Sequence, residues 1–150
     1  VEANISQDPE AADIMVRHGK DVTMIGLDVT LQTLLTYEET RKWREYGTPA
    51  GQLLADATDY YIKAYETTAP ELGGCGLHDP LAVGVAIDPT LVTLLPINLK
   101  VDLEGPTRGR TIGDENRMGE SATTRVAVAV DAPRFLTELM ARVGKVAAGL

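Results

Sequence analysis

Apolar residues along the chain fall into stretches of helical spacing separated by short unbroken runs, the pattern of a fold in which helices alternate with strands. Asp8-Pro9-Glu10 reads as a helix start, with Asp8 as N-cap and proline at the first helical position. That helix is predicted to run to about Gly19, with Ala11, Ile14, Met15 and His18 at spacings of three and four. Residues 22–27 predict a short buried strand, and their continuous apolar character suits a parallel sheet covered on both faces. Thr36 and Glu39 form a capping-box pattern for a helix ending near Gly47. Thr48-Pro49 opens another helix to about Thr67, with Leu53, Ala57, Tyr60 and Ala64 on one face.

The second half of the chain continues in the same style. Residues 69–77 form a glycine-rich loop, and Asp79-Pro80 starts a short apolar helix ending near Ile87. Asp88-Pro89 leads into an extended stretch over 92–103, with further strands expected over 108–112 and 125–130 and an exposed polar connection over 113–124. Residues 133–146 predict an amphipathic helix with Phe135, Leu136, Leu139, Met140 and Val143 inward. No repeat or low-complexity tract interrupts the pattern. The reading is α/β, as one domain or part of a larger one.

Composition narrows the partners more than the fold. The 150 residues, 44% hydrophobic and 24% charged, have an ordinary globular balance. A net charge of −8 repels phosphate backbones, which argues against nucleic-acid polymers and anionic membranes as partners but not against a neutral ligand. No run approaches the roughly 20 apolar residues of a membrane span. The single cysteine, Cys75, allows no internal disulfide and fits a reducing, cytoplasmic compartment. The opening Val1-Glu2-Ala3-Asn4 has no initiating methionine, and the chain is expected to be part of a longer protein.

Candidate chemistry gathers around Gly76-Leu77-His78-Asp79-Pro80. An imidazole donates a proton near neutral pH, which suits a poor leaving group, and an adjacent carboxylate offers hard oxygen ligands to Ca²⁺ or Mg²⁺. Asp-Pro also occurs at Asp8 and Asp88, where capping or a turn explains it, so on spacing alone Asp79 reads first as a helix cap. Glu2 and Asn4, two apart at the expected end of a strand, would share one face and could both meet sugar hydroxyls; the plainer alternative is a solvated terminus. Cys75 with His78 invites a thiolate reading, against a structural cysteine, and one cysteine with two histidines makes no closed zinc site. His18 reads as a cation at a helix C-terminus. Tyr60, Tyr61 and Tyr65 lie on the helix before the loop, where they read as core, or as a ring facing a cleft and stacking on a base.

Several colinear segments resemble the inosine-uridine-preferring nucleoside hydrolase family. Val1-Glu2-Ala3-Asn4-Ile5 with Asp8-Pro9-Glu10-Ala11-Ala12 resembles its Glu-Phe-Asn segment and following helix start. Gly26-Leu27-Asp28-Val29-Thr30, Leu77-His78-Asp79-Pro80-Leu81-Ala82-Val83 with Ile87-Asp88-Pro89, and Thr107-Arg108-Gly109 with Thr111 follow in the family's order. The resemblance implies a mostly parallel, Rossmann-like open sheet with flanking helices, of which residues 1–150 are the C-terminal part. It implies cleavage of the N-glycosidic bond of ribonucleosides with bound Ca²⁺, in a protein that forms dimers or tetramers. Carried over, His78 is the acid that protonates the leaving base, Asp79 a Ca²⁺ ligand, and Glu2 and Asn4 hold ribose hydroxyls. Ala3 stands where the family has an aromatic, and the family's N-terminal aspartate cluster has no counterpart in these residues. The chain alone is therefore expected to be inactive and to need the N-terminal half. A non-catalytic binding or assembly module of the same fold is the alternative.

Overall fold

The computed structural model describes residues 2–150; Val1, which opens the Glu-Ala-Asn segment, lies outside the described residues. In chain order the elements are α1 (Ala3–Gln7), α2 (Pro9–His18), β1 (Val22–Met24), α3 (Leu27–Thr30), β2 (Leu34–Leu35), α4 (Tyr37–Glu45), α5 (Pro49–Thr68), β3 (Cys75–Gly76), α6 (His78–Ile87), β4 (Val92–Pro96), β5 (Leu99–Val101), β6 (Thr111–Gly113), β7 (Thr124–Val130) and α7 (Ala132–Ala147). They form two compact units, Val1–Leu27 with Val92–Ala129, and Asp28–Leu91 with Val130–Leu150. The content is mixed α/β. Among the described residues no helix is long and apolar enough to cross a membrane.

The first unit holds a three-stranded sheet in the order β1-β7-β4, with β1 parallel to β7, Val22 opposite Thr124. The expected strand over 22–27 is shorter than its apolar run, because Leu27 already begins α3. Asp8 caps α2 as predicted, its carboxylate accepting from the Ala11 amide at 2.9 Å. The inward face of α2 is not the predicted one: Val16 is buried, with Ala12 packed beside it against Leu99 and Val101, while Ile14 and Met15 face out.

The single extended stretch expected over 92–103 is two strands in different sheets, since β5 pairs with β6 in an antiparallel ladder of its own. The break falls at Asn98, whose buried carboxamide donates to the Arg117 carbonyl (3.0 Å) and accepts from the Thr123 amide (3.0 Å). A side chain meeting backbone in this way leaves no place for a continuous ladder. The 113–124 connection, expected to be exposed, also contributes Asp114, whose fully buried carboxylate accepts from Arg17 at 2.7 Å.

The second unit is mainly helical. Thr36 and Glu39 form the predicted capping box: the Thr36 amide and hydroxyl donate to the Glu39 carboxylate at 2.9 and 2.6 Å. α5 starts at Thr48, whose hydroxyl accepts from the Gly51 amide and donates to the Ala147 carbonyl at the end of α7. Here the predicted apolar face is the solvent face: Leu53 and Tyr60 are 70% and 80% exposed, and Gly51, Ala55 and Ile62 turn inward. Close helix approach explains the choice. A Cβ at Gly51 would stand 2.3 Å from the Trp43 carbonyl of α4, so small residues, not large ones, mark the packed face. The inward face of α7 agrees better with prediction, with Phe135 buried and its ring seated over Gly84 of α6.

Glu39 carries a pH dependence. Burial pushes its carboxyl up, but hydrogen bonds from the Thr36 hydroxyl and from backbone amides, with the nearby charge of Lys42, outweigh burial and hold it below its ordinary value of 4.5. A depressed carboxyl stabilises the fold in full above its unfolded value, and that contribution disappears as the pH falls through the folded value. Thr36→Ala is expected to lower the unfolding free energy by about 1 kcal/mol at pH 7, with the difference from wild type shrinking below pH 4.5. Urea titrations at both pH values measure it.

Candidate active site

The site in the second unit is built by a very short ladder. β2 pairs antiparallel with β3, Leu34 opposite Gly76 and Leu35 opposite Cys75. Next to it the Leu77 amide donates to the Thr33 carbonyl at 2.9 Å. These bonds lay the turn after α3 along the start of α6, so that Thr30 and His78, 48 positions apart in sequence, touch. The glycine-rich loop expected over 69–77 thus includes a short strand, Cys75–Gly76.

His78 opens α6 and is half-buried. Its Nδ1 lies 2.7 Å from the Thr30 hydroxyl and its Nε2 2.6 Å from the Tyr65 hydroxyl. Tyr65 and His78 are stacked at 6.4 Å between ring centroids, with an interplanar angle of 30°. Tyr61 meets Tyr65 edge-on at 5.1 Å. The Tyr61 hydroxyl is pushed up to about 12, first by its hydrogen bond to Tyr65 and then by burial, with the charges of Cys75 and Asp79 adding to both. Gly76 leaves the room the ring occupies, since a Cβ there would lie 2.7 Å from His78 Cε1 and 2.8 Å from Nε2.

Asp79 is not a cap. The N-cap of α6 is Leu77, which makes no side-chain capping bond, and Asp79 sits in the first turn, exposed. Its carboxylate has no hydrogen-bond partner among the described residues, which leaves both oxygens open to a ligand. A calcium site takes six to eight oxygens. Among the described residues no three His, Cys, Asp or Glu side chains gather into a metal-binding group, so Asp79 is at most one arm of such a site.

Glu2 and Asn4 belong to the first unit, and the strand expected there is a helix. Glu2 stands at the N-cap of α1 and Asn4 lies in its first turn, so the two side chains do not share a face as they would at strand spacing. The physical reason lies in the chain that follows: the Glu2 carbonyl accepts from the Ser6 amide at 3.0 Å, and the Ser6 hydroxyl turns back to the Ala3 carbonyl at 2.8 Å. Glu2 Oε1 accepts from the Leu27 amide at 2.9 Å, which leaves Oε2 open, and Asn4 is exposed.

Cys75 is 1% exposed, and burial pushes its thiol up from the ordinary value of 9.0, which removes the thiolate reading. The sequence pattern singles out His78 but not its partners. Tyr65 is visible as one of a tyrosine group on the preceding helix; nothing in spacing marks Thr30 or Gly76.

Comparison with known proteins adds relatives. Residues 1–137 match the family model described as inosine-uridine preferring nucleoside hydrolase. The chain is 36% identical over 136 residues to the inosine-uridine preferring nucleoside hydrolase of Crithidia fasciculata, covering 89% of this chain and 43% of that protein. It is 36% identical over 149 residues to the probable uridine nucleosidase 2 of Arabidopsis thaliana, covering 94% of this chain and 46% of that one. A solved structure, the purine-preferring ribonucleoside hydrolase from Gardnerella vaginalis, superposes with a TM-score of 0.97 at 69% identity over 100% of this chain and 48% of its own. The chain thus spans less than half the length of these relatives.

Gly76→Ala tests the clearance around the imidazole. The flexible partner in that contact is the His78 ring, so the substitution is expected to push the ring off Tyr65 and shift its side-chain NMR signals. Thermal stability should fall by only about 1–3 kcal/mol. Unchanged His78 signals would mean that the ring does not depend on this gap.

Proposed function

The chain belongs to the inosine-uridine preferring nucleoside hydrolase family, and from that premise we propose that the whole protein hydrolyses the N-glycosidic bond of ribonucleosides to free base and ribose. The observation that carries the reading is the hydrogen-bonded row Thr30–His78–Tyr65. N-glycoside cleavage passes through an oxocarbenium-like state in which a poor leaving group departs with the bonding electrons, and a proton delivered to that group lowers the barrier. His78, the acid that the resemblance implies, acts on this step through Tyr65. The Tyr65 hydroxyl gives its proton to the departing nitrogen, and the Nε2–H of His78 stays on the ring and hydrogen-bonds to the phenolate oxygen left behind, until the proton released as water adds to the ribosyl cation restores the phenol. The exposed edge of the Tyr61–Tyr65 pair is an aromatic surface of the kind on which a base stacks.

Glu2 and Asn4 take the ribose hydroxyls, the open oxygen of Glu2 as acceptor and the Asn4 carboxamide as donor and acceptor. Asp79 contributes one ligand to a Ca²⁺ site whose other oxygens come from beyond these 150 residues. In this reading residues 1–150 are the C-terminal part of one nucleoside hydrolase domain, and the parallel β1–β7 pair belongs to a mostly parallel, Rossmann-like sheet. The substrate is a neutral nucleoside, met in the cytoplasm by a homo-oligomer, dimer or tetramer.

In the whole protein, His78→Ala is expected to slow inosine and uridine hydrolysis by about 10²- to 10⁴-fold. A nitrophenyl riboside, whose leaving group needs no proton, should lose far less. Tyr65→Phe should reproduce the same asymmetry. Equal losses on both kinds of substrate would take His78 off the leaving-group side.

The 150 residues by themselves, assayed with inosine or uridine in millimolar CaCl₂, are expected to show no turnover, because one carboxylate cannot hold the ion. Measurable hydrolysis by this chain alone would overturn that part of the proposal.

A further inference from the structure

We propose that Thr30 is a positioning residue that decides which nitrogen of His78 carries the ring proton: its hydroxyl donates to Nδ1, so the neutral ring is protonated on Nε2, the nitrogen facing Tyr65. The inference deepens the reading of His78 given above and rests on it for its catalytic consequence. Two hydroxyls flank the ring, Thr30 at 2.7 Å from Nδ1 and Tyr65 at 2.6 Å from Nε2. A neutral imidazole has one acceptor nitrogen, so only one of them donates to it. A phenol is the stronger donor of the two and, unopposed, would donate into Nε2 and drive the ring proton onto Nδ1.

What reverses this is burial. Thr30 is 2% exposed, and its hydroxyl has no partner among the described residues except His78 Nδ1. A buried hydroxyl proton without an acceptor is costly, whereas half-buried Tyr65 keeps an alternative direction for its own proton. Thr30 is also held in place: its carbonyl accepts from the Thr33 amide at 3.1 Å and the Thr33 hydroxyl at 2.8 Å, and a β-branched side chain is stiff at χ1. With the ring proton on Nε2, Tyr65 accepts from the ring and points its own proton outward. With the proton on Nδ1, Tyr65 would donate inward and have nothing to offer a leaving group.

Imidazole ¹⁵N NMR of the full-length protein at about pH 9, where imidazole is neutral, reads the tautomer directly. The signals absent from His78→Gln are those of its ring. Wild type is expected in the Nε2–H form, and Thr30→Val should shift the tautomer ratio toward Nδ1–H by roughly tenfold, the worth of one buried hydroxyl bond. Thr30→Ser should keep Nε2–H. Thr33→Val, which removes the neighbouring buried bond without touching the ring, should keep it as well. Nucleoside kcat should fall in Thr30→Val with KM near wild type, and recover in Thr30→Ser. An Nδ1–H ring in wild type, an unchanged ratio in Thr30→Val, or the same shift in Thr33→Val would overturn the assignment. The spectrum does not depend on turnover, so failure of His78 as the acid and failure of Thr30 as its orienting group are separately visible.

Discussion

The β2–β3 ladder, two residues against two, is the constraint on which the candidate site depends. It is far too short to be stable by itself and exists because both strands are walled in: Leu35, Cys75 and Leu77 are buried around it. Its register brings the Thr30–Thr33 turn against the first residue of α6. A slip of one residue would turn Cys75 outward and carry His78 away from Thr30. The glycine at position 76 belongs to the same constraint, because the ring of His78 fills the space a side chain would take.

Around that ring, two neighbouring residues take unlike positions. His78 is turned into the protein and engaged at both nitrogens, while Asp79, the next residue, is turned out with its carboxylate uncommitted among the described residues. A helix start makes this division possible, since consecutive side chains in the first turn diverge by about 100°. His78 finds partners for both ring nitrogens within its own unit, whereas Asp79 belongs to no metal-binding group of three or more His, Cys, Asp or Glu side chains among the described residues.

Much of the helical framework is legible in the sequence. Asp8, Thr36, Thr48 and Asp131 each cap a helix through their own side chains, and such caps act within three residues, so the local sequence contains all that is needed to read them. The inward faces are less legible. Large apolar residues predict the packed side of α5, yet Leu53 and Tyr60 face out, because the tight approach of α4 selects Gly51 and Ala55 instead. The strand expected over 92–103 divides for a related reason. Asn98 is polar and buried, and only its partners 19 and 25 residues away explain why the ladder breaks there.

By itself the sequence determined the helix starts at Asp8, Thr36 and Thr48, the mixture of helices and strands, the family, and the identity of His78-Asp79 as the pair to watch, since each of these is written in contiguous residues or in their order. Only the tertiary structure decided that Asp79 is no cap, that Glu2 and Asn4 stand at the start of a helix and not on a strand, and that the Cys75 thiol is buried. It alone brought Thr30 and Tyr65 to the two nitrogens of one imidazole. Contacts spanning 48 and 13 positions depend on how a buried turn and a long helix are laid against α6, and no local periodicity encodes that placement.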